Sequence, residues 1–311
     1  MKTAITLDLS RRLDFAEGHR FGDTGPYERL TGRIRFELDP EDLANQNIVD
    51  LDKVSTNKSG LVEFSADLDI LKPVNLNNGN RRLLYDVNNR GNRTILRTFN
   101  DAVADTDPSK LSHAGNGFLM RQGYTIVWSG WQGDLEPDGK LLTAELPQAL
   151  EEGCPLQGRV RQEFIVDQAG VFSMPLSGAP SIRSYPAASL DTTHASLTCR
   201  ERETDPRQFL PTHEWAFAEA KQDSTGNQID VTPSSVNLYL PSGFKPGWIY
   251  ELIYETEGSR VMGLGLVGIR DLVGFLRYDN EDSKGVLNPL AGTIEKAYGY
   301  GSSLCARVLR Q

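Results

Sequence analysis

Two stretches near the start of the chain alternate polar and apolar side chains. Arg33 to Leu38 runs Arg, Ile, Arg, Phe, Glu, Leu, and Val62 to Ile70 repeats the alternation through Phe64, Ala66 and Leu68. A period of two is that of half-buried strands. Asp39 to Gly60, between them, is rich in Asp, Asn, Pro and Lys, the chemistry of loops. The first 75 residues therefore read as a small antiparallel β unit. Further on, the pattern becomes one of short apolar runs. Arg82 to Val87 predicts a strand followed by the polar loop Asn88-Asn89-Arg90-Gly91-Asn92, and His113 to Gln122 predicts a helix closed by Gly123. Tyr124 to Trp128 predicts a strand buried on both faces, leading into Ser129-Gly130-Trp131-Gln132-Gly133-Asp134. Strands alternating with helices imply an α/β fold with a parallel sheet, whose ligands gather at the carboxyl ends of the strands.

From Glu136 to Gly247 short strand signals, Val160 to Val166 and Val236 to Leu240, are separated by Pro- and Ser-rich turns, the pattern of a β-rich insertion. Parallel-sheet logic resumes with a strand at Ile249 to Tyr254, a helix over Gly263 to Tyr278 and a strand at Lys296 to Gly301. The expected divisions are 1–75, 76–135 as the first part of an α/β core, 136–247 as the insertion, and 248–311 as the second part of the core.

Composition narrows the function classes. The 311 residues carry a formal charge of −9, which offers no broad attraction for nucleic acid or an anionic membrane, so neither is an expected partner. The first twelve residues lack the apolar stretch of a secretory signal, and the expected location is cytoplasmic. Three scattered cysteines and four scattered histidines form no metal-binding spacing, so neither a metal nor another cofactor is expected.

Candidate chemistry concentrates at the end of the chain. Gly301-x-Ser303-x-Cys305, followed by Ala306 and preceded by a strand pattern, fits a nucleophile elbow, whose tight turn admits only small residues on either side of the nucleophile. Ser302 or Ser303 could equally cap the following helix. Cys305 reads as packing, with only Arg307 nearby to lower its pKa. Gly263-Leu264-Gly265-Leu266-Val267-Gly268 satisfies a dinucleotide fingerprint, but it follows no clear strand, and glycines at that spacing also let a helix approach a sheet closely.

Several phrases together carry a family resemblance. Gly25-Pro26-Tyr27-Glu28-Arg29-Leu30, Asp86 to Asn92, Gly123 to Asp134, Arg270-Asp271-Leu272-Val273 and Gly301 to Arg310 make the chain similar to the large bacterial α/β-hydrolase-domain proteins over nearly its whole length. The resemblance implies a serine hydrolase acting on a small-molecule ester. Ser303 would be the nucleophile, and Leu304 with the loop of Asn88, Asn89, Arg90 and Gly91 would supply oxyanion or substrate contacts, with Ser129 and Trp131 beside them. Leu304, Cys305 and Ala306 stand where that family favours Gln, Ser or Thr, and Gly. Its triad acid and histidine follow the serine, whereas the eight residues after Ser303 contain neither. The chain thus resembles the N-terminal half of such a protein, with a catalytically incomplete site and a sheet edge open to self-association. A non-catalytic binding or scaffold protein on the same fold is the alternative.

Overall fold

The alternating stretches do form strands, and these belong to a larger sheet than their own pattern indicates. The computed structural model describes residues 3–105, 107–222 and 228–310. It is a strand-rich mixed α/β protein in two compact units, Met1–Pro147 with Val261–Gln311, and Gln148–Arg260.

In the first unit β1 (Ala4–Asp14), β2 (Tyr27–Leu38) and β3 (Val62–Pro73) form an antiparallel meander. The meander does not stand apart as residues 1–75. Beyond β3 the sheet continues through β5 (Thr125–Ser129), β4 (Arg82–Asp86) and β16 (Lys296–Tyr300), and β6 (Ala144–Glu145) adds to β3. β3 meets β5 antiparallel, and β5, β4 and β16 are mutually parallel. The chain thus goes from β4 to β5 on one side and later returns to β16 on the other. The reversal makes the carboxyl end of β4 a topological switch point, where loops diverge and leave a crevice.

Two faces of this sheet are covered. On one, Trp128, Tyr27, Phe15, Ile126 and Leu71 pack with α1 (Ile95–Asn100) and α2 (Phe118–Arg121). On the other, α3 (Gly263–Tyr278) brings Gly268 against Phe64, which stacks on Phe36 with ring centroids 4.5 Å apart. An added Cβ on Gly265 would lie 1.8 Å from the carbonyl oxygen of Trp131. The glycines of the apparent fingerprint therefore serve close helix packing.

The predicted helix at His113–Gln122 is broken. Leu111–Ala114 forms a 3-10 turn, Gly115 and Gly117 take positive φ (56° and 68°), and only α2 is helical. A Cβ on Gly115 would sit 2.0 Å from the Asn100 carbonyl oxygen, so the chain turns sharply there to pass α1.

The second unit holds β7 (Leu150–Glu151), β8 (Cys154–Pro155), β9 (Gln157–Phe164), β10 (Ser173–Pro175), β11 (Ser196–Arg200), β12 (Gln208–Leu210), β13 (Ala216–Gln222), β14 (Gln228–Tyr239) and β15 (Ile249–Glu257). Its sheets run β12-β11-β15-β9, β10-β14-β13 and β7-β8, all antiparallel. The strand over Ile249–Tyr254 lies here, between β11 and β9, and is not a parallel strand of the main sheet. Its apolar run hides an alternation: Tyr250, Leu252 and Tyr254 enter a core with Phe164, Leu197 and Phe217, while Glu251 meets Arg161, Arg200 and Arg207.

Candidate active site

The site is built where β4, β5 and β16 end. β16 leads through Gly301 into α4 (Leu304–Val308), and Ser303, at the turn, has φ 56° and ψ −122°. A non-glycine residue held at positive φ costs on the order of 1–3 kcal/mol and persists only where the surroundings fix it. Here they do. A Cβ on Gly301 would lie 2.6 Å from the Cys305 carbonyl oxygen, and one on Gly299 would meet Leu309 at 2.6 Å. The Ser303 side chain does not cap α4, and its hydroxyl has no hydrogen-bond partner among the described residues. The exposed hydroxyl is therefore unspent.

Asn88 joins the three strand ends. Its carbonyl accepts from the Trp131 indole Nε1 at 2.7 Å and from the Cys305 thiol at 3.3 Å, and its Nδ2 donates to the Ser129 carbonyl at 2.6 Å. The loop after β4, the loop after β5 and α4 are thus tied to one buried residue. Asn88 Oδ1 has no hydrogen-bond partner among the described residues, an unsatisfied acceptor at the centre of the arrangement. Val87 N–H donates to the Tyr300 carbonyl at 2.9 Å, which continues the β4–β16 register into the loop.

The other predicted residues divide by what their polar groups already do. Ser129 is buried, with its hydroxyl 2.7 Å from the Tyr85 hydroxyl and its carbonyl taken by Asn88. Trp131 is spent on Asn88. The Arg90 N–H donates to Gln132 Oε1 at 2.8 Å, and Gly91 accepts from Leu142 N–H at 3.1 Å, so neither group is open to a ligand. Leu304 N–H has no partner among the described residues. Arg90 also sits at positive φ (51°), ahead of Gly91 (76°), and a Cβ on Gly91 would press within 2.8 Å of Leu141 and Leu142.

Asp86, at the end of β4, holds this loop from below. Its carboxylate accepts from Trp128 Nε1 at 2.8 Å and from the N–H groups of Thr94 and Ile95 at 3.0 Å, which fixes the start of α1. Nothing in the sequence marks it apart from its position before the Asn run. Burial raises the Asp86 pKa above the ordinary carboxylate range, against the lowering effect of those donors. With the folded value above the unfolded value of about 3.9, the proton-linked contribution favours the fold below that pH and is lost as pH rises through the folded value. Asp86→Asn, which keeps an acceptor and removes the titration, should therefore gain stability relative to the native protein as pH climbs out of the acid range. Urea denaturation at a series of pH values reads this directly, and parallel stability curves would contradict it.

Cys305 is not the nucleophile of this arrangement. Burial, reinforced by Asp86, pushes its thiol up to about 11, so it stays protonated and donates to Asn88. Iodoacetamide at about pH 8 should modify exposed Cys154 well before Cys305, because only the thiolate reacts. Peptide mapping would show the reverse order if Cys305 were activated.

Among the described residues, no group of three His, Cys, Asp or Glu side chains is placed to hold a metal ion, and no helix is long and apolar enough to cross a membrane. Comparison with family models, with curated proteins and with solved structures finds no match to this chain.

Proposed function

We propose that the chain carries the nucleophile and oxyanion-binding parts of a serine hydrolase of the α/β-hydrolase type, acting on an ester or related acyl bond. The backbone of Ser303 is the observation that supports this most: a positive φ at a strand-to-helix turn, glycines fixed at 299 and 301, and an unspent hydroxyl. A structural cap would leave no reason for that strain. In this reading Ser303 Oγ attacks the acyl carbon, a C–O bond forms, and the carbonyl oxygen takes up negative charge opposite the Leu304 N–H. A second donor for that hole would have to come from the loop after β4, where the Arg90 N–H and the Asn88 Nδ2 are already taken by Gln132 and Ser129. Collapse of the adduct breaks the bond to the leaving oxygen, which departs as the alcohol with the proton given up by the serine, and water then releases the acid from acylated Ser303.

The serine proton needs a base. No histidine or carboxylate among the described residues is hydrogen-bonded to Ser303, an observation that favours a second reading in which the fold binds a ligand without turnover. A fluorophosphonate probe with imidazole added as external base separates the two. The Ser303 oxygen would bond to phosphorus, fluoride would leave, and imidazole would take the proton. Labelling that rises with imidazole and is lost in Ser303→Ala supports the hydrolase, and labelling that persists in Ser303→Ala sinks it.

The outer edge of β16 pairs with no strand among the described residues, and Tyr298, Leu304 and Leu309 lie exposed beside it. The same reading includes self-association through this edge. Light scattering that holds at the mass of one chain over a wide concentration range would remove that part.

A further inference from the structure

We propose that the cleft beside the Asn88–Gly91 loop binds the oxyanion of a small molecule, a carboxylate or phosphate, on Arg90, Arg97 and Lys140. The inference rests on the hydrolase reading only for calling that molecule a substrate.

The cleft has a volume of about 650 Å³, the size of a small-molecule site, and its charged lining is Arg90, Arg93, Arg97, Lys140, Asp105 and Asp107. Two of those charges, Arg93 and Asp107, are already paired, and Asp105 remains as one anion of the lining. Arg93 Nε is bound to buried Asp69 at 2.6 Å, Asp107 is paired with Arg29 at 2.6 Å, and Asp105 lies 3.3 Å from His113 while accepting the Asp107 N–H at 2.7 Å. Arg90, Arg97 and Lys140 form no ion pair or side-chain hydrogen bond among the described residues. Arg90 and Arg97, without an ion-pair partner among the described residues, and Lys140, whose charge acts on exposed Asp138, therefore line one concavity, in a chain whose net charge is −9.

The three side chains are exposed, and the backbone that carries them is fixed by its contacts. Arg90 is held in its loop by Gln132 and by the contact of Gly91 with Leu142. Arg93 donates to the Lys140 carbonyl at 3.2 Å, which ties the segment that brings Lys140 to the same loop. Arg97 lies on α1, whose start is fixed by Asp86. The same helix touches the strand leading to Ser303, since the Tyr300 hydroxyl donates to Thr98 Oγ1 at 3.0 Å and its ring meets Phe99 edge-on. Guanidinium forks in such a frame suit the paired oxygens of carboxylate and phosphate. The cleft lining begins at Asn89 and does not include Ser303, so the anion would sit on a group remote from the reacting bond.

Calorimetric titration with inorganic phosphate, and separately with succinate, at constant ionic strength tests the proposal. The expected result is saturable binding of at least one probe, weakened on the order of tenfold in the double variant Arg90→Gln/Arg97→Gln, where charge-assisted bonds are lost. Arg159→Gln, an exposed position in the second unit, should bind like the native protein. The two arms tell which oxyanion the cleft prefers. No saturable heat with either probe, or equal binding by a double variant that melts like the native protein, would overturn the proposal. Binding retained in Ser303→Ala, with no labelling of the native chain by fluorophosphonate, would leave the anion cleft standing and the hydrolase reading refuted. Labelling without anion binding would do the opposite.

Discussion

Replacing Asp69 with alanine should cost the protein about 3–5 kcal/mol of stability, the range found when one partner of a buried ion pair is removed. Asp69 has no exposed surface and accepts from Arg29 Nε at 2.9 Å, Arg29 Nη2 at 2.7 Å and Arg93 Nε at 2.6 Å. The Arg29 side chain is 2% exposed, and without Asp69 it would face the interior with only Asp107 and the Pro108 carbonyl. Burial alone would lower the Arg29 pKa, yet Asp69 and Asp107 together hold it above its ordinary value, so the charge would stay, with exposed Asp107 as its one remaining carboxylate partner among the described residues. Asp69→Asn should lie between, keeping an acceptor without the charge. Because the group is dry, added salt should change these differences little. Urea denaturation of the three proteins measures them, and a loss under about 1 kcal/mol for alanine would mean that water reaches the arginines.

A second large effect is expected in α3. On helix propensity alone, Gly265→Ala should stabilise by about 1 kcal/mol. Sterics decide otherwise, since the added Cβ would lie 1.8 Å from the Trp131 carbonyl oxygen, a backbone atom that cannot rotate away. We expect a net loss of about 3 kcal/mol, at the upper end of overpacking costs. The same substitution at Gly274, where a Cβ would meet nothing within 4 Å, should instead stabilise by about 0.5–1 kcal/mol. The pair changes one helix in the same way, so opposite signs isolate the close approach. Gly265→Ala should also weaken whatever chemistry Ser303 performs, because Trp131 holds Asn88 and Asn88 holds α4 through Cys305. If both variants stabilise, the packing of α3 on Trp131 is wrong.

Local pattern made the strands at Arg33–Leu38, Val62–Ile70, Arg82–Val87 and Tyr124–Trp128 legible, as well as the helix at Gly263–Tyr278. Partnership was not legible. Nothing in the period of Ile249–Tyr254 distinguishes a parallel strand of the main sheet from the centre of an antiparallel one, since burial on both faces produces similar apolar runs. Asp69 occupies an outward position in the alternation of β3, yet is the most buried kind of residue, because its arginines come from β2 and from the loop after β4. Of the site, the turn at Ser303 was visible in its small residues. The joining role of Asn88 and the bond of Asp86 to Trp128 depend on contacts between residues 41 to 217 positions apart, and the cations Arg97 and Lys140 on a shared concavity, which spacing along the chain does not encode.

Acylation of the chain by a simple activated ester tests the central claim most directly. With p-nitrophenyl acetate and imidazole as the external base, the acetyl group should transfer to Ser303 as nitrophenolate leaves. Mass spectrometry of the digested protein should then find the adduct on the peptide containing Ser303. The adduct should grow with imidazole concentration and vanish in Ser303→Ala, while Ser302→Ala retains it. An adduct spread over surface lysines, independent of imidazole and unchanged in Ser303→Ala, would contradict the account and leave the strained turn at Ser303 without a catalytic purpose.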